Sequence, residues 1–321
     1  MVRGPDRLHR EASRRGGGRS AARPRQPLAA RAAADRDHDA PGVRAVVRHG
    51  PHRRLAHALR RPRRRLRPPA HPPLHRPRRR ALRGGLARLP ARVEALRPPR
   101  RARPPRLPRG RLVIAAVLPE DISTAHHHGT DPHATLFPEE EPFVARAVAK
   151  RRAEYTTVRA CARRALAALG RPPVPLLPGE RGAPRWPAGI VGSMTHCPGY
   201  SAAAVAPAQR WRSLGIDAEE NAPLPPGVLD MIALPADREA LATLPPGGPS
   251  WDRVLFSAKE SVYKAWFPLA RRFLDFSEAE LVLSEDGTFA ARVLVPGPVR
   301  ELGGRWAVGD GLVVTAVTVR A

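Results

Sequence analysis

The sequence predicts an α+β fold behind a disordered Arg/Pro-rich segment, and two observations carry that prediction. The first is a break in composition near residue 110. Of 56 basic residues, 33 precede residue 111, every one an arginine, with only 6 of the 29 acids, so the whole net charge of +27 lies there. The 23 basic and 23 acidic residues that follow cancel. The second is that, beyond the break, strand-like and helix-like stretches mix without the regular βαβ alternation of a doubly wound sheet.

Residues 1–110 contain no Ile, Phe, Trp or Tyr, and Arg and Pro recur in runs such as Arg60-Arg61-Pro62-Arg63-Arg64-Arg65. Without large apolar side chains the segment cannot bury enough surface to offset the entropy of ordering, and its like charges repel. An arginine-rich tail could bind phosphate backbones by counterion release, but it offers no aromatic ring to stack on bases. A transit helix needs an apolar face and fewer prolines. Arg, Pro, Ala and Gly in excess, with Lys and Asn absent, is what GC-rich codons give without selection for folding. A start assigned too far upstream, or a frame that is never translated, is therefore the expected explanation, and an N-terminal peptide recovered from the native protein before residue 100 would contradict it. Cys161 and Cys197 form no C-x-x-C pair, so neither a disulfide framework nor a zinc site is indicated. No apolar run approaches a membrane span and no signal-peptide core is present. A cytoplasmic protein is expected.

The elements follow in order. Residues 112–118 form a short apolar run suited to a first strand. Residues 141–169 read as a helix, with Pro142 tolerated in its first turn, Phe143, Val144, Ala147 and Val148 at helical spacing, and Gly170 past its end. A Pro-rich loop over 171–187 precedes a strand or turn at 190–194, and strands are expected at 200–206 and 213–216. Short helices are expected at 228–234 and 237–244. A longer one runs from Trp251 to about Phe267, with Ser250 as N-cap and Pro268 beyond its end. Four strands at 280–283, 288–295, 305–308 and 312–319 are separated by Asp-Gly, Pro-Gly and Gly-Asp turns.

Three clusters carry chemistry. The segment Gly215-Ile216-Asp217-Ala218-Glu219 sits at a strand end, and residues two apart on a strand face the same side. Asp217 and Glu219 can thus present two hard oxygen ligands together, which suits Mg²⁺; a solvated pair is the ordinary alternative. On the helix from Trp251, Arg253, Ser257, Glu260 and Lys264 share one face, and Val254, Leu255, Ala258, Val262, Ala265 and Trp266 the other. Glu260 and Lys264 at i, i+4 could be a surface ion pair. Yet lysine occurs only three times in the chain, and Lys259 and Lys264 bracket Glu260. A flexible ammonium can neutralise a phosphate or move a proton, which a guanidinium does not readily do. Ser193, Thr195 and His196, on a turn opened by Gly192, offer hydroxyl and imidazole groups to a phosphate. Arg151, Arg152, Arg159, Arg163 and Arg164 make the 141–169 helix basic, with Arg152, Arg159 and Arg163 near one another as a phosphate clamp or a solvated face. The run His126-His127-His128 reads as a solvated loop beside Gly129 rather than a metal site.

Each signal is weak alone, but their order is specific. R-G-A-P-x-W-P from Arg181, G-S-x-T-H from Gly192, G-I-D-A-E from Gly215 and F-S-A-K-E-S-x-Y-K-A-W from Phe256 follow one another. Together with L-F-P-E-E-E at 136–141 and A-K-R-R-A-E-Y-T-T-V-R at 149–159, the pattern resembles the enterobactin/surfactin-type 4′-phosphopantetheinyl transferases, nearest to the enterobactin-synthase-component-D-like branch of actinomycetes. The resemblance covers residues 111–321 and none of 1–110. It implies two similar α+β halves, about 111–213 and 214–321, with the active site in the cleft between them. It further implies Mg²⁺-dependent transfer of 4′-phosphopantetheine from coenzyme A to a serine of an apo acyl, peptidyl or aryl carrier protein, leaving adenosine 3′,5′-bisphosphate. The family's metal ligands fall on Asp217, Glu219 and Glu260; Ala218 between the first two cannot ligate. Its coenzyme A contacts fall on Arg151, Arg159 and Arg181, with Thr195 and His196 near the 3′-phosphate and Lys259 and Lys264, beside Asp217 and Glu260, near the pyrophosphate. Glu260, acting directly or through a metal-bound water, is the expected acceptor of the serine proton, and Lys264 the group assisting the leaving oxygen. Ser261 stands where relatives often carry Ala. A monomer is expected, with no membrane or nucleic-acid partner. A nucleic-acid binder with an inactive C-terminal domain would not need Asp217, Glu219, Glu260 and Lys264 intact, and a plain coenzyme A-binding module would bind without Mg²⁺-dependent transfer.

Overall fold

A computed structural model describes residues 114–321, which form two antiparallel sheets, each covered by one long helix. The Arg/Pro-rich segment expected over 1–110 lies outside the described residues.

The first sheet holds β1 (Ser123–His128), β2 (Ile190–Cys197) and β3 (Tyr200–Pro207) in the order β1-β3-β2, with α1 (Ala149–Ala168) between β1 and β2 in sequence. The second begins with β4 (Trp211–Glu220). It continues through α2 (Val228–Ile232), α3 (Pro235–Ala242) and α4 (Trp251–Ala270), and ends in β5 (Ala279–Leu283), β6 (Thr288–Val293), β7 (Glu301–Gly309) and β8 (Leu312–Arg320). Its order is β4-β8-β7-β6-β5. Both halves follow one plan: the strand before the long helix pairs antiparallel with the last strand of its half, β1 with β3 and β4 with β8. The α+β class with two similar halves is thus what forms.

Alternation along the strands sorts most of the buried side chains into three of the five apolar clusters among the described residues. Ile190, Ala203 and Val205 pack against Cys161, Ala162, Ala165 and Leu166 of α1. Leu281, Phe289, Val313 and Val317 pack against Val254, Leu255, Ala258, Val262, Ala265 and Trp266 of α4, the apolar face expected from its spacing. Between the sheets lies a shared core of Ala202, Ala204, Ala206, Leu214, Ile216, Ala218, Val314 and Ala316. The edge strands β2 and β4 run side by side across this junction. Edge strands leave backbone groups that need partners. Here the hydroxyl of Ser193 accepts from the Ile216 N–H at 3.1 Å, and that of Thr195 from the Ala218 N–H at 3.1 Å. Gly215 lets α4 lie against β4, because a Cβ there would run into the Ser261 carbonyl and stand 2.6 Å from the Ala265 nitrogen.

Several expectations are corrected. Of the run at 112–118, the described part forms a 3₁₀ turn, Ile114–Val117, not a strand. The helix expected from 141 is interrupted. Glu141–Phe143 is a separate 3₁₀ turn and α1 starts at Ala149, leaving Phe143 and Val148 exposed. The cause is Glu140, whose buried carboxylate accepts from the Phe137 N–H at 2.9 Å and the Leu176 N–H at 2.7 Å, which holds this stretch as a turn. The His126–His128 run is not a loop: it pairs with Tyr200, Ser201 and Ala202 in β3. Gly192 opens no turn but lies inside β2, which runs on to Cys197. In α4, Pro268 sits within the last turn rather than beyond it, at an end where few backbone bonds remain to lose. Ser250 makes no side-chain cap.

Candidate active site

The register of β4 with β8 sets the centre of the site. Asp217 pairs with Thr315 of β8, and both face α4. Glu219, two residues on, faces the same way, as the strand period requires, and meets the Arg253 guanidinium at 3.2 Å. The helical face of Arg253, Ser257, Glu260 and Lys264 therefore covers an edge strand rather than solvent. Arg253 also donates to the carbonyls of Ala222 and Pro223, which fixes the chain leaving β4.

Asp217 is 4% exposed and held by three donors from two elements. Its Oδ1 accepts from Lys264 Nζ at 2.7 Å and Thr195 Oγ1 at 3.1 Å, and its Oδ2 from Ser257 Oγ at 2.9 Å. Lys264 Nζ donates also to the Ile216 carbonyl at 3.0 Å. Burial, reinforced by the charge of Glu260, pushes the Asp217 carboxyl above its ordinary range against the pull of Lys264 and Ser257. Burial opposes the charge on Lys264, but Asp217, then Glu260 and Glu219, outweigh it and hold the ammonium above the usual lysine range. The causes differ: Asp217 is raised chiefly by its burial, and Lys264 by the carboxylates of Asp217, Glu260 and Glu219 acting against burial.

On the opposite face of β2, His196 points to α1. Its Nε2 lies 2.6 Å from Arg151 and 3.5 Å from the carboxylate of Glu154. Arg181 is exposed at the apex of the Pro-rich loop with a left-handed φ of 52°, and its guanidinium lies over the Phe273 ring at 5.5 Å.

Two comparisons bear on these residues. The family model described as the 4′-phosphopantetheinyl transferase N-terminal domain matches residues 139–206, and that of the 4′-phosphopantetheinyl transferase superfamily matches 213–315. Over 221 residues the chain is 60% identical to the 4′-phosphopantetheinyl transferase Svp of Streptomyces mobaraensis, covering 65% of this chain and 90% of that protein. The chain belongs to the 4′-phosphopantetheinyl transferase family. It is also 48% identical over 222 residues to the 4′-phosphopantetheinyl transferase PptT of Mycobacterium tuberculosis, covering 64% of this chain and 98% of PptT. Identity to enterobactin synthase component D of Escherichia coli O157:H7 is 39% over 121 residues, which span 36% of this chain and 55% of that protein.

Not every residue singled out in this transferase reaches the Asp217 group. Lys259 lies elsewhere, 3% exposed, with its ammonium 2.6 Å from Asp237 and donating to the carbonyls of Phe276 and Ala279. Arg159 is equally internal: its Nε donates to the Leu176 carbonyl and it stacks on Tyr155, 3.6 Å from Glu140. Burial brings its pKa down to about 10. Arg152, Arg159 and Arg163 form no free clamp, because Arg152 pairs with Glu141 and Arg163 with Glu140. Thr195 spends its hydroxyl on Asp217 and Ala218. Sequence reasoning gave no role to Glu140, Glu154, Asp237 or Thr315, although Glu140 and Glu154 lie inside the motifs at 136–141 and 149–159 and Thr315 interrupts an apolar run of β8.

Among the described residues no group of three or more His, Cys, Asp and Glu side chains is gathered tightly enough to hold a metal ion by itself. The donors still suit one. They are hard carboxylate oxygens, and Asp217 and Glu260 act together on the single ammonium of Lys264, so a divalent cation would supply charge that offsets theirs. Of the four lone-pair positions on the Asp217 carboxylate, three are engaged, leaving one on Oδ2.

Proposed function

We propose that this family member transfers 4′-phosphopantetheine from coenzyme A to a serine of an apo acyl, peptidyl or aryl carrier protein in a Mg²⁺-dependent reaction. Adenosine 3′,5′-bisphosphate is the second product. The observation that carries this reading is the convergence of Asp217, Glu219 and Glu260 on Lys264 at the junction of the two halves. Asp217, Glu219 and Glu260 are the residues proposed to hold the metal. When bound, Mg²⁺ supplies charge neutralisation at the pyrophosphate.

The residues of the chain do the rest. The serine oxygen attacks the β-phosphorus of coenzyme A, a new P–O bond forms, and the bond to the bridging oxygen breaks with its electron pair going to the nucleotide. The carboxylate of Glu260 takes the serine proton. Lys264 stays protonated among its carboxylates, so it stabilises charge on the phosphate oxygens and the leaving oxygen and does not act as a base. Arg151 and His196, meeting at 2.6 Å, form a corner for the 3′-phosphate, and exposed Arg181 is a further coenzyme A contact. The transferase domain is proposed to span 111–321, with halves about 111–213 and 214–321, acting as a monomer in the cytoplasm. No helix among the described residues is long and apolar enough to cross a membrane. Siderophore, polyketide and nonribosomal peptide assembly are the proposed settings.

Glu260→Gln tests the proton acceptor. The variant is expected to bind coenzyme A in calorimetric titration yet turn over at least 10²-fold more slowly, the lower range for general-base loss being about 10². Binding with near-normal turnover would remove Glu260 from that role.

A further inference from the structure

Behind Asp217 lies a set of buried hydroxyls to which the reaction above assigns nothing. Ser257, Ser261 and Thr315 are each 0% exposed. Ser257 and Ser261 stand four apart on α4 and straddle the cross-strand pair Asp217–Thr315. Ser257 Oγ is 2.9 Å from Asp217 Oδ2 and 3.0 Å from Thr315 Oγ1, and Ser261 Oγ is 2.7 Å from Thr315 Oγ1.

The direction of these bonds is fixed by counting protons. Paired with the Lys264 ammonium at 2.7 Å, Asp217 is taken as the carboxylate, which only accepts, and a serine hydroxyl has one proton. Ser257 gives its proton to Asp217 and must therefore accept from Thr315. The single proton of Thr315 goes to Ser257, whose Oγ and carbonyl oxygen, at 3.0 and 2.9 Å, share it. Thr315 Oγ1 in turn accepts from Ser261, whose single proton is shared between that oxygen at 2.7 Å and the Thr315 carbonyl at 3.2 Å. Every hydroxyl in the chain Ser261→Thr315→Ser257 points toward Asp217. Such aligned donors polarise one another and are strongest in a dry interior. Thr195 approaches the other oxygen from β2.

We infer that Ser257 and Thr315 are positioning residues that lock the rotamer of Asp217 and aim its remaining lone pair at the metal. The inference rests on the proposed metal role of Asp217. Neither residue touches substrate; they act through the carboxylate. A side chain held at one oxygen by Ser257 and at the other by Thr195 and Lys264 has no second orientation available. Outer-shell hydrogen bonds of this kind typically contribute about 10–100-fold to metal affinity.

The test uses the full chain with Thr315→Val, which removes the hydroxyl at similar size, Thr315→Ser, which retains it, and Ser257→Ala. Mn²⁺ uptake in the presence of coenzyme A is followed by electron paramagnetic resonance without any carrier protein. Thermal unfolding is followed alongside, and Ser257→Ala carries the comparison if Thr315→Val does not fold. Thr315→Val and Ser257→Ala are expected to bind Mn²⁺ about tenfold or more weakly. Thr315→Ser should stay within about twofold of the parent chain, well inside that tenfold effect. In transfer assays the two weakened variants should need more Mg²⁺ yet approach the parent kcat at saturation. Parent-like Mn²⁺ affinity in Thr315→Val and Ser257→Ala would overturn the positioning role alone. A parent chain that takes up no Mn²⁺ would overturn the metal reading and this inference with it.

Discussion

At the scale of single residues, Lys264 and Glu140 show how differently two buried charges serve. Lys264 sits among three carboxylates, and its ammonium is held above the ordinary value of 10.5. A raised folded-state pKa means that its contribution to stability is complete below that value and is lost as pH rises through the raised one. Lys264→Met should therefore show the same deficit relative to the parent chain in urea unfolding at pH 7 and pH 9, and a smaller one above pH 11. A deficit that already shrinks between pH 7 and 9 would contradict the raised pKa. The same variant should lose about 10²–10³-fold in kcat, as expected when a donor to developing phosphate charge is removed. Glu140 touches no reacting group. It is fully buried and joins Arg163, Arg159 and two backbone N–H groups across the first half. Glu140→Gln leaves buried Arg159 and partly exposed Arg163 short of their counter-charge and should cost about 3–5 kcal/mol in chemical denaturation.

At the scale of elements, α4 against β4 is the contact on which the site depends. Gly215→Ala would drive the helix off the strand, and overpacking of this kind costs about 1–3 kcal/mol. Because the shift would part Lys264 and Ser257 from Asp217, Gly215→Ala should lose transfer activity even at temperatures where it remains folded by circular dichroism. Here the sequence was legible. A period of two placed Asp217 and Glu219 on one face, and a period near 3.6 placed Ser257, Glu260 and Lys264 on another. What the periods could not supply was that the two faces meet. Thr315 lies 98 residues from Asp217 and becomes its neighbour only through the β4–β8 register. For the same reason the histidines of β1 were misread: Ala202, the cross-strand partner of His126, lies far along the chain, while the nearby Gly129 reads as a turn. Lys259 turns to Asp237, on a separate short helix with no local signal linking the two.

At the scale of the whole molecule, two halves with one plan meet along β2 and β4, and two hydroxyls of β2 satisfy the backbone of β4. This junction bears the fold and the chemistry together, since Thr195 serves both the Ala218 N–H and Asp217. The α+β class and the composition break near residue 110 were legible from patterning and charge alone; the pairing of the halves needed side-chain contacts between strands more than 20 residues apart. The central claim is that this junction transfers phosphopantetheine from coenzyme A with Asp217 as a metal ligand. The most direct measurement is the intact mass of an apo carrier protein incubated with the chain, coenzyme A and Mg²⁺, using both an acyl and a peptidyl carrier. The predicted result is the gain of one phosphopantetheine, lost with EDTA and with Asp217→Ala, and unchanged when residues 111–321 replace the full chain. No gain on either carrier, from protein that binds coenzyme A in calorimetric titration, would contradict the account.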